Sequence, residues 1–371
     1  MSVLIFLAVL VLLILVHEFG HFIVAKKSGV RVDEFGIGFP PKVFGKKYGE
    51  TEYTLNWLPI GGFVRIWGED PTEEVLEGPD QERSFVNKPR YIQAAILVAG
   101  VAMNVVLAYV LFVVAFMIGM PTGVNEDESR ERLAASNLYV TSVMPDSPAA
   151  SALADSDQIL AVRSSASELA SNGDLPLMPS AVAAFIAEQG TQELTFDVER
   201  GGEQMSVSLT PLPGVFENDP NRVAAGFSMD LVMLDSLPIH HALIEATDRT
   251  WDTLQKIVVG LSTLVGQMVK GTADYSQVAG PVGIVGYVGD AAALGLSWLI
   301  TFTAFISLNL AVINLLPIPA LDGGRLVLVG VEAVIRRPIN PIVATRMNQV
   351  GFVFLLGLMA IVTIQDVLKL F

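Results

Sequence analysis

The sequence contains no cysteine among its 371 residues and only four histidines. The absence of cysteine excludes disulfide bonds, thiolate metal ligands, a cysteine nucleophile and iron–sulfur clusters. Basic residues are also scarce: 23 Lys and Arg face 38 Asp and Glu, so the formal net charge is -15. Because nucleic-acid binding needs a basic surface, this charge excludes nucleic acid as an expected partner.

Charged residues make up only 16% of the chain, hydrophobic residues make up 52%, and the mean hydropathy is +0.53. This composition does not suit a soluble protein and predicts an integral membrane protein. A bilayer core about 30 Å thick needs about 20 mostly apolar residues for one helical span. The stretches that meet this length are Val3 to Ala25, Ile92 to Met120, Trp298 to Leu316 and Val350 to Leu370. The first lacks a basic n-region and a cleavage site, so we expect a retained helix rather than a signal peptide.

Basic residues concentrate in two connecting segments, 26–91 and 323–348, which are therefore expected in the cytoplasm. The segment 121–297 is rich in acidic residues and is expected outside, together with both termini. Within it, the apolar run Ile257 to Val269 is about 13 residues long, which is short for a span, and the stretch before it is amphipathic. We therefore expect Leu237 to Lys270 to form helix on the outer membrane surface.

The first predicted helix contains His17-Glu18-Phe19-Gly20-His21, the H-E-x-x-H pattern. Residues four apart on an α-helix differ by about 40° around its axis, so both imidazoles can bind one metal ion while Glu18 can reach a water that the metal activates. The alternative is that these are polar residues packed against a neighbouring helix. Ionisable side chains in a span are costly and usually mark a function, which favours the metal site.

A catalytic zinc site takes three protein ligands and one water, so a third ligand is needed. The remaining histidines, His240 and His241, lie in the external segment and are predicted to be surface residues. A carboxylate is therefore expected, and Asp322 is the candidate because it follows the third helix, whose end two prolines break. Considered alone, an Asp before Gly is more typical of a turn. The alternating direction of the helices, however, places Asp322 and His21 at the same cytoplasmic end.

The chain resembles the bacterial site-2 proteases, which are intramembrane zinc metalloproteases, and among them most closely the RseP-like regulators of envelope stress. The resemblance is carried by the H-E-x-x-H motif, by the Asn-x-x-Pro-x-x-x-Leu-Asp-Gly motif that ends in Asp322-Gly, and by the spacing between them, and it extends over nearly the whole chain. The residues whose roles it implies are His17, His21 and Asp322 as ligands of one zinc ion per chain, Glu18 as the catalytic base, and Asn314 as a residue that holds the substrate backbone.

The segment Val43 to Trp67 resembles the membrane-reentrant β-hairpin of this family, on the cytoplasmic side. Its residues favour strands at 52–58 and 63–67 with a turn at Pro59 to Gly62 between them. An exposed strand edge beside the zinc could hold an unwound substrate by β-addition. The residues implied to bind substrate there are Gly61, Gly62 and Phe63. The alternative from the residues alone is an ordinary cytoplasmic hairpin.

The external segment 121–236 resembles one PDZ-like α+β domain, with a strand at Tyr139, a helix that begins at Ser-Pro-Ala, an Asp-x-Ile strand, a second helix and a closing hairpin. It departs from the family in two respects. Ser156 stands where a Gly usually precedes the Asp, and there is room for about one such domain where the best-known RseP proteins carry two. Binding of peptide tails and steric exclusion of substrates with bulky external domains both stay open.

The resemblance implies a multi-pass protease of the bacterial inner membrane that cleaves transmembrane segments of single-span proteins within the lipid bilayer. Anti-sigma factors and signal-peptide remnants are the substrate types implied. Two alternatives belong to other classes, a membrane metal transporter and a non-catalytic PDZ scaffold. A transporter needs further ligands along its path, where Asn104 and Asp366 are the main polar candidates in the second and fourth helices. A scaffold gives no reason for Glu18.

The expected fold is thus a polytopic α-helical membrane protein with four transmembrane helices, a reentrant β-hairpin and one external PDZ-like domain. The expected segments are the first helix (1–25), a cytoplasmic loop with the hairpin (26–91), the second helix (92–120), the PDZ-like domain (121–236), external surface helices (237–297), the third helix (298–322), a cytoplasmic loop (323–348) and the fourth helix (349–371). The Gly-rich run from Val278 to Gly289 is expected to be a surface connection or a small packing contact rather than a phosphate loop.

Overall fold

The computed structural model describes residues 1–69, 78, 80–171, 173–215, 219, 222–271, 279–337 and 339–368. They form two compact units, the first made of Met1–Val113, Leu243–Gly289 and Phe302–Phe371, and the second of Val114–Ala242 and Asp290–Thr301. The helices are α1 (Ser2–Lys27), α2 (Arg90–Ile118), α3 (Arg130–Ala134), α4 (Pro179–Gln189), α5 (Ile239–Lys270), α6 (Pro281–Leu294), α7 (Leu296–Leu315), α8 (Asp322–Ile335) and α9 (Pro341–Leu368).

The strands are β1 (Val32–Tyr48), β2 (Thr51–Ile66), β3 (Met120–Val124), β4 (Ser136–Val143), β5 (Gln158–Arg163), β6 (Glu168–Ala170), β7 (Leu194–Arg200), β8 (Glu203–Leu209), β9 (Leu212–Pro213), β10 (Val223–Ala224) and β11 (Phe227–Asp235). β1 and β2 pair in the first unit, and the other strands belong to the second unit.

Four helices among the described residues are long and apolar enough to cross a membrane, namely α1, α2, α7 and residues Ile342–Leu368 of α9. They coincide with the four predicted spans, although the fourth begins earlier than the predicted Val350. The membrane-protein character expected from composition is therefore confirmed. The run Ile257 to Val269 is part of α5, a 32-residue amphipathic helix with charged residues along its first half.

The segment 323–348, predicted as a loop, contains α8 and the first turns of α9. α8 has only 14 residues, which is about 21 Å of helix, so it is too short to be recognised in the sequence as a membrane span. The Gly-rich run is also largely helical, as α6. Its Gly280 and Gly283 N–H groups donate to the Asp366 carboxylate at 3.1 and 2.8 Å, so the expected packing contact is present. Val278 lies outside the described residues.

β1 and β2 form a sheet with an irregular register against α1. Ile37 lies opposite both Leu55 and Gly62. Residues 34–37 pair with residues 52–55 in the same chain direction and with residues 62–65 in the opposite direction. β2 therefore reverses its direction between Leu55 and Gly62, where the turn at Pro59 to Gly62 was predicted. The start of the sheet was missed, since β1 begins at Val32 rather than at Val43.

The second unit is built on an antiparallel sheet of seven strands in the order β3-β11-β4-β5-β7-β8, with β6 beside β5. Alternation sets which side chains enter its core: Leu194, Phe196 and Val198 of β7 are fully buried while the residues between them are not. The strand predicted at Tyr139 is β4, the Asp-x-Ile strand is β5, the second helix is α4, and β7 and β8 form the closing hairpin. The helix predicted at Ser-Pro-Ala is a single 3₁₀ segment, Pro148–Ser151. Ser156 has a φ of 72°, which explains why glycine is favoured there.

Candidate active site

The H-E-x-x-H residues lie in the second half of α1, where helical spacing brings the two imidazoles together. His17 and His21 are 9% and 7% exposed, and their Nε2 atoms are 3.1 Å apart. The two rings meet edge to face with centroids 4.8 Å apart. Both Nε2 atoms therefore converge on one point, as the spacing predicts.

Asp322 joins this pair from the start of α8. The chain between α7 and α8 is irregular because Pro317 and Pro319 end the helix, and Ala320 has a left-handed φ of 79°. Asp322 Oδ2 lies 3.0 Å from His17 Nε2 and 3.4 Å from His21 Nε2. In the part of the chain that the structure describes, these residues form the one group of three or more potential ligands able to hold a metal ion.

The separations of the three donor atoms fit a zinc ion. Ligand atoms about 2.0–2.1 Å from zinc in a tetrahedral site are about 3.3 Å from one another. The observed separations of 3.0, 3.1 and 3.4 Å are close to this value. Asp322 Oδ2 is buried and has no hydrogen-bond partner among the described residues, although it faces both Nε2 atoms. A cation at this point would satisfy all three lone pairs.

The Nδ1 atom of each imidazole also lies within hydrogen-bonding distance of a group on α2. His21 Nδ1 lies 2.8 Å from the Ile96 carbonyl oxygen, to which it donates, so its Nε2 lone pair is free for a metal. His17 Nδ1 lies 3.4 Å from the side-chain amide of Asn104, a fully buried residue whose Oδ1 is otherwise unpartnered. Rotating that amide by 180° would let Oδ1 accept from Nδ1–H and complete the same arrangement. Sequence reasoning considered Asn104 only as a ligand on a transport path.

Two glycines let α1 and α2 approach closely at this site. A Cβ at Gly20 would lie 2.3 Å from the Ala99 carbonyl oxygen, and a Cβ at Gly100 would lie 2.3 Å from His21 Nε2. The bare backbone of Gly20 thus allows α2 to approach α1 closely. Gly100 was not identified from sequence, because its role depends on which face of α2 meets the histidines.

Gly100→Ala should therefore disrupt the site. Alanine normally stabilises a helix relative to glycine by about 1 kcal/mol, but here the methyl group would displace His21. We expect zinc affinity to fall by at least about tenfold, the size typical of disturbed ligand support. Metal titration of the purified variant measures this. Gly357→Ala in α9 is the control, because no atom lies within 4 Å of its Cβ position; equal zinc affinity of both variants would refute the steric explanation.

Glu18 lies beside the histidines and faces a cavity of about 250 Å³. Its carboxylate lies near the Val64 backbone N–H of β2. The cavity lining is Leu13, Ile14, His17, Glu18, Asn104, Leu310, Asn314, Ala320, Leu321 and Asp322. The structure thus brings Asn314, from the second motif, into the same cavity as Glu18 and the three potential ligands.

The other predicted substrate-binding residues lie in the sheet and do not line this cavity. Gly62 packs toward α1, where a Cβ would lie 3.6 Å from Ile14 and 3.7 Å from Leu15. The Phe63 ring stacks on Phe39, with centroids 6.3 Å apart, and a Cβ at Gly61 would lie 2.5 Å from the same Phe39 ring. His240 and His241 are exposed at the start of α5, as predicted.

Arg325 was not singled out from sequence, yet it lies one turn after Asp322 on α8 and forms an ion pair with Glu69. Burial lowers the pKa of its guanidinium from the ordinary value, and the nearby charge of Glu18 opposes this shift. Arginine stays charged at neutral pH even so. A permanent positive charge therefore lies near the Glu18 carboxylate.

The comparisons with known proteins agree with this geometry. Residues 5–358 match the sequence model of peptidase family M50. A Clostridium perfringens protein is 35% identical over 358 residues, covering 96% of this chain and 95% of that protein. The membrane metalloprotease ARASP of Arabidopsis thaliana chloroplasts is 33% identical, covering 90% of this chain and 71% of the relative.

A third relative carries a functional name. The regulator of sigma-W protease RasP of Bacillus subtilis is 28% identical over 446 residues, covering 100% of this chain and 99% of RasP. The resemblance inferred from two motifs is thus confirmed, and the family match covers both motifs. This chain belongs to peptidase family M50, the site-2 proteases, and is a zinc metalloprotease.

Proposed function

We propose that this protein hydrolyses peptide bonds inside the membrane, with His17, His21 and Asp322 holding one zinc ion and Glu18 acting as the general base. The observation that carries the proposal is the convergence of three ligand atoms and one further carboxylate on a helix able to span a bilayer. Two imidazoles and one carboxylate are a ligand set found in zinc peptidases, with an open fourth position.

The position of the site along α1 supports cleavage within the bilayer. Lys26 and Lys27 end this helix and mark a membrane interface. At 1.5 Å per residue, His21 lies about 8 Å and His17 about 14 Å from Lys26 along the helix axis. Both distances are smaller than the apolar core thickness of about 30 Å. The scissile bond is therefore expected below the membrane surface.

When bound, zinc supplies Lewis acidity, which makes a water nucleophilic near neutral pH and polarises the scissile carbonyl. Glu18 takes a proton from the attacking water and passes it to the amide nitrogen as the C–N bond breaks and the C–O bond forms. The Val64 N–H holds the Glu18 carboxylate in place. Asn314, on the cavity wall, supplies an amide that can hydrogen-bond the substrate backbone.

The sheet of β1 and β2 is proposed to enter the membrane beside the site. Thr51 Oγ1 lies 3.2 Å from Lys26 Nζ, the Tyr53 ring packs on Phe22, and Gly62 packs toward Ile14. β2 thus follows α1 from its charged end to a residue about 18 Å deeper. A soluble hairpin would have no reason to pack along a spanning helix.

Residues 62–66 are the sheet edge nearest Glu18, to which Val64 belongs. They pair with 32–37 on one side, and no strand is paired to their other side among the described residues. An unwound substrate could add there as a further strand, with Gly61, Gly62 and Phe63 against its backbone. Unwinding is required because carbonyl groups in a transmembrane helix are hydrogen-bonded within it.

The substrates are proposed to be single-span membrane proteins, including anti-sigma factors and signal-peptide remnants. The name of the Bacillus subtilis relative, regulator of sigma-W protease, supports the first type. The bacterial relatives support a location in the bacterial inner membrane. The distribution of basic residues supports an orientation with residues 121–236 and both termini outside. We propose that residues 121–236 form a PDZ-like domain that controls access of substrates to the membrane site.

Cleavage of two single-span test substrates tests this function. Purified protein in liposomes should cleave a span with a central Gly-Pro or Asn-Gly pair at least about tenfold faster than an all-leucine span. The reason is that the free energy needed to unwind the substrate helix is about 1–3 kcal/mol lower at such a pair. Gel or mass-spectrometric product analysis measures the ratio. Equal rates, or cleavage confined to soluble loops, would contradict the proposal.

A further inference from the structure

The outer edge of the membrane-entering sheet is the segment 42–48 of β1. The register pairs Phe44 with Leu55, Lys46 with Tyr53 and Tyr48 with Thr51. Thr51 and Tyr53 in turn lie beside Lys26 and Phe22 of α1. Lys46 and Tyr48 are therefore at the depth of the charged end of α1, which is the level of the lipid headgroups.

The side chains on this edge change character with depth. At the deeper end, Val43 and Phe44 are 54% and 63% exposed, and Trp57 of the neighbouring β2 is 69% exposed, an arrangement that suits contact with acyl chains and not with water. At the shallower end lie Lys46, Lys47 and Tyr48, all exposed. Lys and Tyr at the boundary of an apolar surface are typical of the membrane interface.

The lysines of this segment differ in their partners. Lys42, the deepest, reaches Glu52 at 2.7 Å, so its ammonium group extends toward the shallow end of the sheet and is neutralised there. The nearby Glu50 is neutralised by Lys26, at 2.8 Å, and by Arg83, and these cations lower its pKa. Lys46 and Lys47 form no ion pair among the described residues; Lys47 lies opposite Glu52, whose carboxylate is engaged by Lys42.

We propose that Lys46 and Lys47 form a docking site for the phosphate headgroups of anionic phospholipids, which fixes the depth of the sheet in the leaflet. The inference rests on the proposed entry of the sheet into the membrane. Because the chain as a whole carries a net charge of -15, anionic lipid is attracted only where cations without an ion-pair partner face the interface. Fixing the depth of the sheet also fixes Val64 against Glu18.

Hydrogen exchange of the full-length protein in nanodiscs tests this site. Discs of phosphatidylcholine alone are compared with discs in which roughly one lipid in four is phosphatidylglycerol, for wild type and for K46Q/K47Q. Anionic lipid should slow exchange in residues 42–58 of the wild type by about fivefold for each lysine, or about 25-fold together. K46Q/K47Q should lose this difference, and about 0.5 M salt should weaken it in the wild type.

The matched control is K256Q/K270Q, which removes two exposed lysines from α5 and should keep the lipid dependence. The lysine site would be overturned by any of three results. The wild type could exchange equally in the two lipids, K46Q/K47Q could keep the difference between the lipids, or the control variant could lose it. If the sheet does not enter the membrane, residues 55–62 should exchange in phosphatidylcholine discs as fast as an exposed loop. This result differs from the results that would overturn the lysine site alone. Failure of the peptidase function would show only in the cleavage assay.

Discussion

Replacing Glu18 by glutamine should abolish peptide hydrolysis while zinc stays bound. Glutamine has nearly the same shape as glutamate and can still receive one hydrogen bond at its oxygen, but it cannot take a proton from water. General-base catalysis contributes about 10²–10⁴ to a rate, so cleavage should fall by that factor. The three ligand atoms come from other residues, so metal content should not change.

The measurement is a cleavage time course with metal analysis of the same samples. Glu82→Gln is the matched control, because Glu82 is an exposed residue of a short 3₁₀ helix and makes no contact with the site. Cleavage by Glu18→Gln within about tenfold of wild type would refute its role as the base, since an active-site base contributes at least about 10².

The second large effect is expected from removing a ligand. Asp322→Ala or His21→Ala leaves two of the three converging atoms, and zinc affinity should fall by more than the 10–100-fold (about 1.4–2.7 kcal/mol) typical of lost second-shell support. Activity should be lost with the metal. A chelator should inactivate wild type, and added zinc should restore it, because the same ligands remain.

The double variant His240→Ala/His241→Ala controls for the loss of histidine itself. Both residues are exposed at the start of α5 and should leave zinc content and cleavage unchanged. If this variant lost zinc while Asp322→Ala retained it, the ligand assignment would be wrong. If both retained it, the metal would be bound elsewhere.

The meeting of the His17 and His21 side chains was predictable because it depends on local geometry. Four residues along an α-helix always bring side chains to one side, so His17 and His21 meet whatever surrounds them. Asp322 required a topological argument, the alternating direction of three spans, and the structure brings it within 3.4 Å of both histidines. The two motifs together also identified the family, which the comparison confirms.

The supporting contacts could not be predicted, because they depend on how α2 is rotated and how far β2 extends. The Ile96 carbonyl, the Asn104 amide and the bare backbone of Gly100 all lie on the face of α2 that meets α1. An apolar helix with little amphipathic pattern does not reveal that face in its sequence. The Val64 N–H lies near Glu18 only because β2 extends along α1.

Short or irregular elements were also missed for physical reasons. The first part of β1, from Val32, was missed because two consecutive prolines follow it, and prolines normally interrupt a strand. α8 was missed because it is too short to be recognised as a membrane span. By contrast, the long apolar helices and the strictly alternating strand β7 were predictable, because every residue of these elements contributes to a recognisable pattern.

The central claim is that this zinc metalloprotease cuts inside the bilayer. The measurement that tests it most directly is mass-spectrometric mapping of the bond cleaved in a single-span substrate reconstituted with wild type and with Glu18→Gln. We expect a scissile bond within the apolar span, about 8–14 Å from its charged boundary, and no product from the variant. A bond outside the span, or the same product from both proteins, would contradict it.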